Sequence, residues 1–196
     1  MQGIKLKTGE VDRVFYWSNP PHDWKLDESI AVSSSPNTDY WQRTHYGFRR
    51  DDGHFLATHI NFDFNITVRT RFEPHEQYDQ CGLMVRIDPE NWIKTSIEYE
   101  TPEVSRLGSV VTNLGYSDWA TTDIASSIKE MWYRIQSKGP DFLIEHSQDG
   151  KSWYQLRIAH LHSNFDILRV GIYACSPKES SFVSKFDQFT ITDSNW

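Results

Sequence analysis

The sequence predicts an all-β protein, an antiparallel β-sandwich of about a dozen strands with little helix. Three observations carry this. Short runs in which apolar and polar residues alternate with period 2 recur through most of the chain. Turn-forming clusters separate them at short, regular spacing and leave no room for βαβ crossovers. The aromatic fraction is 14%, with 8 Trp, 9 Tyr and 11 Phe, and flat rings pack well on pleated surfaces. At 196 residues the chain reads as one domain, 1–196, with no repeat and no linker. A sandwich of this length buries roughly 70% of its unfolded surface.

In chain order, Val14-Phe15-Tyr16-Trp17 forms a short strand stopped by Pro20-Pro21, which cannot donate to a ladder. Trp24 to Val32 gives another. Ser33 to Thr38 is a loop of turn formers crossing one rim of the sheets, and Asp39-Tyr40-Trp41-Gln42-Arg43 follows it. Asp51-Asp52-Gly53 turns the chain between Tyr46-Gly47-Phe48 and Phe55-Leu56-Ala57. Phe64, Ile66, Val68 and Phe72 then alternate with Asn65, Thr67, Arg69 and Arg71 as a half-buried strand. After Trp119, TTDIASSIKEM is the one segment with a plausible helical turn. Two hairpins follow, turning at Lys138-Gly139-Pro140-Asp141 and Gln148-Asp149-Gly150, and two more runs close the sheets at Leu168 to Cys175 and Phe182 to Thr192.

The stretch between, Tyr78 to Trp119, organises the rest. Cys81, Leu83, Val85 and Ile87 alternate with Gly82, Met84, Arg86 and Asp88, and Asp88-Pro89-Glu90-Asn91 turns the chain. In the next run Ile93, Thr95, Ile97 and Tyr99 form one face. Trp92, Lys94, Ser96, Glu98 and Glu100 form the other. The motifs YDQCGLMVRID, NWIKTSIEYE, SVVT and YSDWAT resemble the core of the domain family named for regulation of enolase. DYWQRTHYGF, DGHFL, SQDGKSW, VGIYACSP and FDQFTI extend the resemblance from about Trp41 to about Ile191. The resemblance implies a concanavalin A-like lectin/glucanase sandwich, a jelly roll. That fold hosts sugar binding, hydrolysis, lysis and protein contacts, so the function has to be argued from the site.

Trp92, Lys94 and Glu98 share a strand face with Arg86 on the preceding strand. As a ligand site, Trp92 would be a flat platform for a sugar ring while Lys94 and Glu98 bond its hydroxyls. As plain surface, Arg86 or Lys94 would pair with Glu98 across strands for about 1 kcal/mol or less. Asp79, Gln80, Asp118 and Trp119 fall on motifs of the resembled family at strand ends, where turn chemistry also explains Asp79 and Asp118. Trp41 is either a rim aromatic or a core one. The catalytic reading rests on Glu98, Glu100 and Glu103, whose spacing is similar to the acidic strand motif of laminarinase-type hydrolases. Retaining glycosidases need two carboxyls about 5 to 5.5 Å apart. Thr101-Pro102 ends the strand before Glu103, however, and the resembled family matches Glu98 but not Glu100 or Glu103.

The formal charge of -7 argues against a nucleic-acid partner. No apolar run approaches the roughly 20 residues that span a bilayer, and MQGIKLKTGEVDR lacks the apolar core of a secretory signal. A cytoplasmic protein is expected. Cys81 and Cys175 sit in apolar alternation and are expected as reduced, buried thiols. His160 and His162 lack a third ligand at metal spacing, and no cofactor motif occurs. The sequence therefore points to a non-catalytic binder of a carbohydrate or sugar-derived metabolite, with a regulatory role in carbohydrate metabolism. A glycan-cleaving enzyme using Glu98 and a second carboxylate is one alternative, and a regulatory protein-binding module is another.

Overall fold

The computed structural model describes residues 4–5 and 14–196. The rest of the leading MQGIKLKTGEVDR segment, read above for a secretory signal, lies outside the described residues. In chain order the strands are β1 (Ile4–Lys5), β2 (Tyr16–Ser18), β3 (Asp23–Leu26), β4 (Ile30–Ser33), β5 (Tyr40–Gln42) and β6 (Arg49–Asp51). β7 (His54–Ile60), β8 (Phe64–Glu73), β9 (Gln80–Asp88), β10 (Asn91–Tyr99), β11 (Val104–Asn113) and β12 (Tyr116–Ala125) follow. The last are β13 (Glu130–Lys138), β14 (Asp141–Ser147), β15 (Tyr154–His160), β16 (Leu168–Cys175) and β17 (Val183–Asp193).

One sheet runs β15-β14-β13-β8-β17-β4-β3, with β1 beside β17. The other runs β12-β11-β10-β9-β16-β7-β2, and β5 with β6 makes a separate two-stranded hairpin. All strand pairs are antiparallel, so the sandwich expected from the alternation is the observed fold. Strands outnumber the expected dozen because Trp24 to Val32 divides into the β3–β4 hairpin and the hairpin β5–β6 stands apart. The described residues contain no helix. TTDIASSIKEM is corrected accordingly: its first residues complete β12, which pairs with β11 over ten consecutive positions, and a turn leads to β13. That ladder outweighs a weak helical propensity.

The core lies between the sheets. Cys81, Leu83 and Val85 of β9 and Ile93 and Ile97 of β10 face Phe64, Ile66 and Val68 of β8 and Met131, Tyr133 and Ile135 of β13. Each such side chain contributes about 1.5 to 3 kcal/mol when removed from water. The period-2 pattern then sends Arg86, Trp92, Lys94 and Glu98 to the opposite face of the second sheet.

Cys81 and Cys175 lie on neighbouring strands, where Cys81 opposes Ala174 and Cys175 opposes Gln80. This one-residue offset puts them on opposite faces, Cys81 in the inter-sheet core and Cys175 in a second cluster outside it, and both are free. Burial pushes both thiols well above their ordinary pKa. Native protein is therefore expected to titrate two slow thiols that become fast in denaturant. Absence of a titratable thiol in denatured, unreduced protein would contradict this.

Candidate functional site

The hairpin β5–β6 folds over the outer face of the second sheet and covers its Trp92 end. Tyr40 sits at the centre, with its ring edge-on to Trp92 and Tyr173 at 6.1 and 6.2 Å and its hydroxyl donating to the Gly53 carbonyl at 2.5 Å. Gly53 is required there, since a Cβ would meet the Tyr40 ring at 2.4 Å. Arg86 donates both terminal nitrogens to Asp51 at 2.5 and 2.6 Å, a buried fork that ties β6 to β9. On the other flank Arg43 donates to the Gly115 carbonyl at 2.8 Å and shares Glu90 with Arg49. Trp92, Tyr40, Phe55, Met84, Val110, Tyr173 and Cys175 thus form a small second core beneath the hairpin.

Beyond the hairpin the sheet face opens into a cleft of about 410 Å³. Its walls are Trp41, Tyr46 and Phe48 from the hairpin, Trp119 from β12, and Tyr78 from the loop before β9. Tyr46 and Phe48 stack at 5.8 Å and remain 57% and 43% exposed, while Trp41 meets Tyr46 edge-on at 5.6 Å. Their loop holds left-handed backbone at Arg43, His45 and Gly47, which folds a six-residue connection back on itself. Tyr78 is also left-handed, with φ 77, and is held there by its amide donating to the Tyr99 carbonyl at 2.6 Å. An uncommon backbone state on an aromatic that lines a cleft is a mark of positioning.

The floor is polar. Lys94, only 3% exposed, donates to Gln80 Oε1 at 2.7 Å, and the Tyr173 hydroxyl donates to the same atom at 3.1 Å. The Gln80 amide nitrogen donates to Glu98 Oε2 at 2.7 Å and to the Tyr78 carbonyl at 3.1 Å. Asp39, on the segment entering β5, brings Oδ1 to 3.8 Å from the Lys94 ammonium. Desolvation pushes the Glu98 carboxyl up to about 8, opposed by Lys94 and aided by the negative charges of Asp39 and Glu100. The raised carboxyl brings the protonated form of Glu98, a hydrogen-bond donor, within reach near neutral pH. Lys94, Gln80, Glu98 and Asp39 together offer both donors and acceptors to whatever lies against the aromatic walls.

Residues 17–194 match the family described as "Protein of unknown function (DUF1349)". The chain belongs to this family. A relative in Saccharomyces cerevisiae, named Regulation of enolase protein 1, is 31% identical over 189 residues, covering 96% of this chain and 94% of that protein. A crystal structure of a functionally unknown protein from Saccharomyces cerevisiae matches with TM-score 0.85 and 32% identity, over 91% of this chain and 96% of that one. The GH43 BlXynB protein from Bacillus licheniformis matches with TM-score 0.67 at 15% identity, over 89% of this chain and 36% of that longer one. The alginate lyase from Klebsiella pneumoniae matches with TM-score 0.61 at 8% identity, over 92% and 86% of the two chains. At these identities the last two likenesses concern the fold. It is the β-sandwich that the resemblance implied.

In this family member the structure gathers five of the sequence-predicted residues, Lys94, Glu98, Gln80, Trp119 and Trp41, at the cleft. Four others lie elsewhere, and each is a correction. Trp92 is no exposed platform: it is 0% exposed under Tyr40, and its indole nitrogen donates to the Pro89 carbonyl at 3.1 Å. Arg86 is consumed by Asp51. Asp79 is buried in a turn, where Oδ2 accepts from the amides of His75 and Glu76 at 2.8 and 2.9 Å. Asp118 alternates away from the cleft, its side chain 72% exposed and paired with Arg157. The cross-strand pairing of Glu98 with Arg86 or Lys94 is also replaced, since Glu98 opposes Gln80 on β9 and Arg86 opposes Trp92.

Glu100 does not line the cleft. It accepts from Gln77 and Arg106, so the second carboxylate beside Glu98 is Asp39. Glu103 is exposed in the β10–β11 turn. The sequence reading missed Asp39, Tyr46, Phe48, Arg50, Tyr78 and Lys178 as cleft residues. The one local signal was Tyr46-Gly47-Phe48, in which a turn-forming glycine separates two large aromatics with no apolar alternation around them. His160 and His162 lie side by side at 5.0 Å, with His160 bonded to Asp141. Among the described residues no group of three His, Cys, Asp or Glu is arranged to hold a metal ion. No described helix is long and apolar enough to cross a membrane.

Proposed function

We propose that the protein is a cytoplasmic, non-catalytic binder of a carbohydrate or sugar-derived metabolite with a regulatory role in carbohydrate metabolism. The carrying observation is the cleft itself, in which Trp41, Tyr46, Phe48, Tyr78 and Trp119 surround the Lys94-Gln80-Glu98 chain. A sugar ring has apolar C–H faces that stack on aromatics and hydroxyls that need donors and acceptors together, and this cleft supplies both. Kinship with a protein named for regulation of enolase supports the regulatory part. Glycan-array screening followed by calorimetry tests the reading. Tyr46→Ala is expected to weaken binding by about 1 to 3 kcal/mol while leaving the melting temperature nearly unchanged, and Trp119→Ala, whose ring also packs against the second core, to weaken binding as much with some loss of stability. Loss of stability without loss of affinity would contradict it.

A second reading, glycan cleavage, draws on the pairing of a protonated Glu98 with Asp39, an acid and a carboxylate in one cleft. Glu98→Gln separates the two. The amide cannot act as a general acid or nucleophile, so a hydrolase loses turnover by orders of magnitude, whereas a binder keeps its affinity within about tenfold. A regulatory protein contact is the third reading, and the exposed Tyr46 and Phe48 at the hairpin tip would be its anchor. Wild-type affinity for a protein partner that survives saturation of the cleft with sugar would favour it.

A further inference from the structure

The basic groups of the cleft are its least expected feature, because the chain as a whole carries a formal charge of -7. Arg50, Lys94 and Lys178 line it against Asp39 and Glu98. Arg50 is answered by Asp52 at 3.0 Å. Lys94 is not fully answered. Its ammonium has three protons and one hydrogen bond, to Gln80, while Asp39 stands at 3.8 Å, beyond hydrogen-bond length. The Asp39 oxygen nearest to it already accepts from the Tyr40 amide at 2.7 Å. Lys178 stands at the mouth with its ammonium 5.2 Å from the Tyr78 ring, and its charge also acts on Glu76 without a close ion pair among the described residues. Two cations thus face the same opening, one of them almost wholly desolvated and met, besides Gln80 and the Asp39 carboxylate, by the Trp92 and Tyr173 rings at 5.9 and 5.7 Å. A neutral sugar would meet the buried ammonium with hydroxyl dipoles alone, whereas an anionic group brings a full opposite charge to it, and charge-assisted hydrogen bonds are roughly twice as strong as neutral ones.

We propose that the cleft takes a sugar carrying an acidic group, a carboxylate or a phosphate, with that group seated between Lys94 and Glu98 under Lys178 and the ring against Trp119, Tyr46 and Phe48. This rests on the sugar-binding reading above and narrows it. A protonated Glu98 adds an O–H donor to the two ammonium groups, and an oxyanion accepts from all three more strongly than a neutral hydroxyl does. Asp39 remains to accept from a ring hydroxyl. The affinity is expected to fall as Glu98 ionises above pH 8 and turns from donor to repelling charge. The charged and titratable groups around it are Lys94 and Glu100 on its own strand, Tyr78, Asp39 and Lys178 from the loops, Arg50 on β6, Arg106 on β11, and Tyr173 and Cys175 on β16. Arg106 is held by Glu100 and Asp123.

The experiment is calorimetry at pH 7 with matched probes: glucose, glucuronate, glucose 6-phosphate, galactose, galacturonate and inorganic phosphate. The acidic sugars are expected to bind at least about tenfold tighter than their neutral parents, as a charge-assisted contact in a buried setting provides. Lys94→Met should weaken neutral and acidic sugars alike, because Lys94 is part of the cleft floor, but should weaken the acidic ones more and bring that ratio close to one. Lys178→Met, at an exposed site that cannot unfold the protein, should lower the ratio by about twofold to fivefold and reduce its salt dependence. Raising the pH from 7 to 9 should weaken glucuronate, whose own charge is constant there, in wild type but not in Glu98→Gln. Equal affinity for acidic and neutral sugars, or a Lys178→Met protein with an unchanged ratio, overturns the proposal and leaves the sugar reading standing. Inorganic phosphate binding as tightly as glucose 6-phosphate overturns the sugar reading and leaves an anion site. Failure of every probe overturns both.

Discussion

Trp92→Ala is expected to lower the unfolding free energy by about 4 kcal/mol, the middle of the range for deleting a buried aromatic. The indole is fully buried, meets the Tyr40 ring edge-on, lies beneath the Lys94 ammonium at 5.9 Å, and satisfies its one N–H at the Pro89 carbonyl. Nothing above it can collapse to fill the void, because Tyr40 is itself pinned to Gly53 and the hairpin is tied to Glu90 and Gly115. Urea unfolding measures the effect. Trp92→Phe, which keeps most of the volume, should recover at least half of the loss. A loss under about 1 kcal/mol for Trp92→Ala would mean that the hairpin does not seal this face in solution. Ligand affinity should also fall in Trp92→Ala, through disorder of Trp41, Tyr46 and Phe48 on the hairpin rather than through a lost stacking partner.

Asp51→Ala should cost about 3 kcal/mol. Its two oxygens take both terminal nitrogens of Arg86, whose side chain is 7% exposed and whose Nε already lacks a partner. Removing the carboxylate strands a guanidinium in the second core, the situation in which breaking a buried pair costs more than the pair was worth. Asp51 is itself one-third exposed, which places the figure at the lower end of the range. The double variant Asp51→Leu with Arg86→Met replaces the pair by apolar groups and should recover much of the stability. A double-mutant cycle by chemical denaturation reads the coupling. Additive single effects would show that the fork does not hold the hairpin down.

Much of this molecule can be read from local order along the chain. Alternation determined that Cys81, Leu83, Val85, Ile93 and Ile97 turn one way and that Arg86, Trp92, Lys94 and Glu98 turn the other, because a pleated strand has a period of two whatever it packs against. Turn chemistry placed the hairpin at Asp88-Pro89-Glu90-Asn91, where the Asp88 carboxylate accepts from the Glu90 amide at 2.7 Å. The same local rules separate the two cysteines, once the strand pairing is known.

What alternation cannot say is whether the second face meets water, since that depends on chain remote in sequence. The hairpin Tyr40–Asp51 folds over the Trp92 end and stops short of the Glu98 end. One half of a single strand face thereby became a second core holding Trp92 and Arg86, and the other half became the floor of a cleft. Asp39, Tyr46 and Phe48 reach Lys94 and Glu98 across about fifty residues of sequence, and Lys178 comes from beyond β16. No spacing rule links them, because their proximity follows from strand order and from the Arg86–Asp51 fork. The residue types were legible in the chain, and only tertiary packing decided which of them were withdrawn from solvent and which were left to meet a ligand.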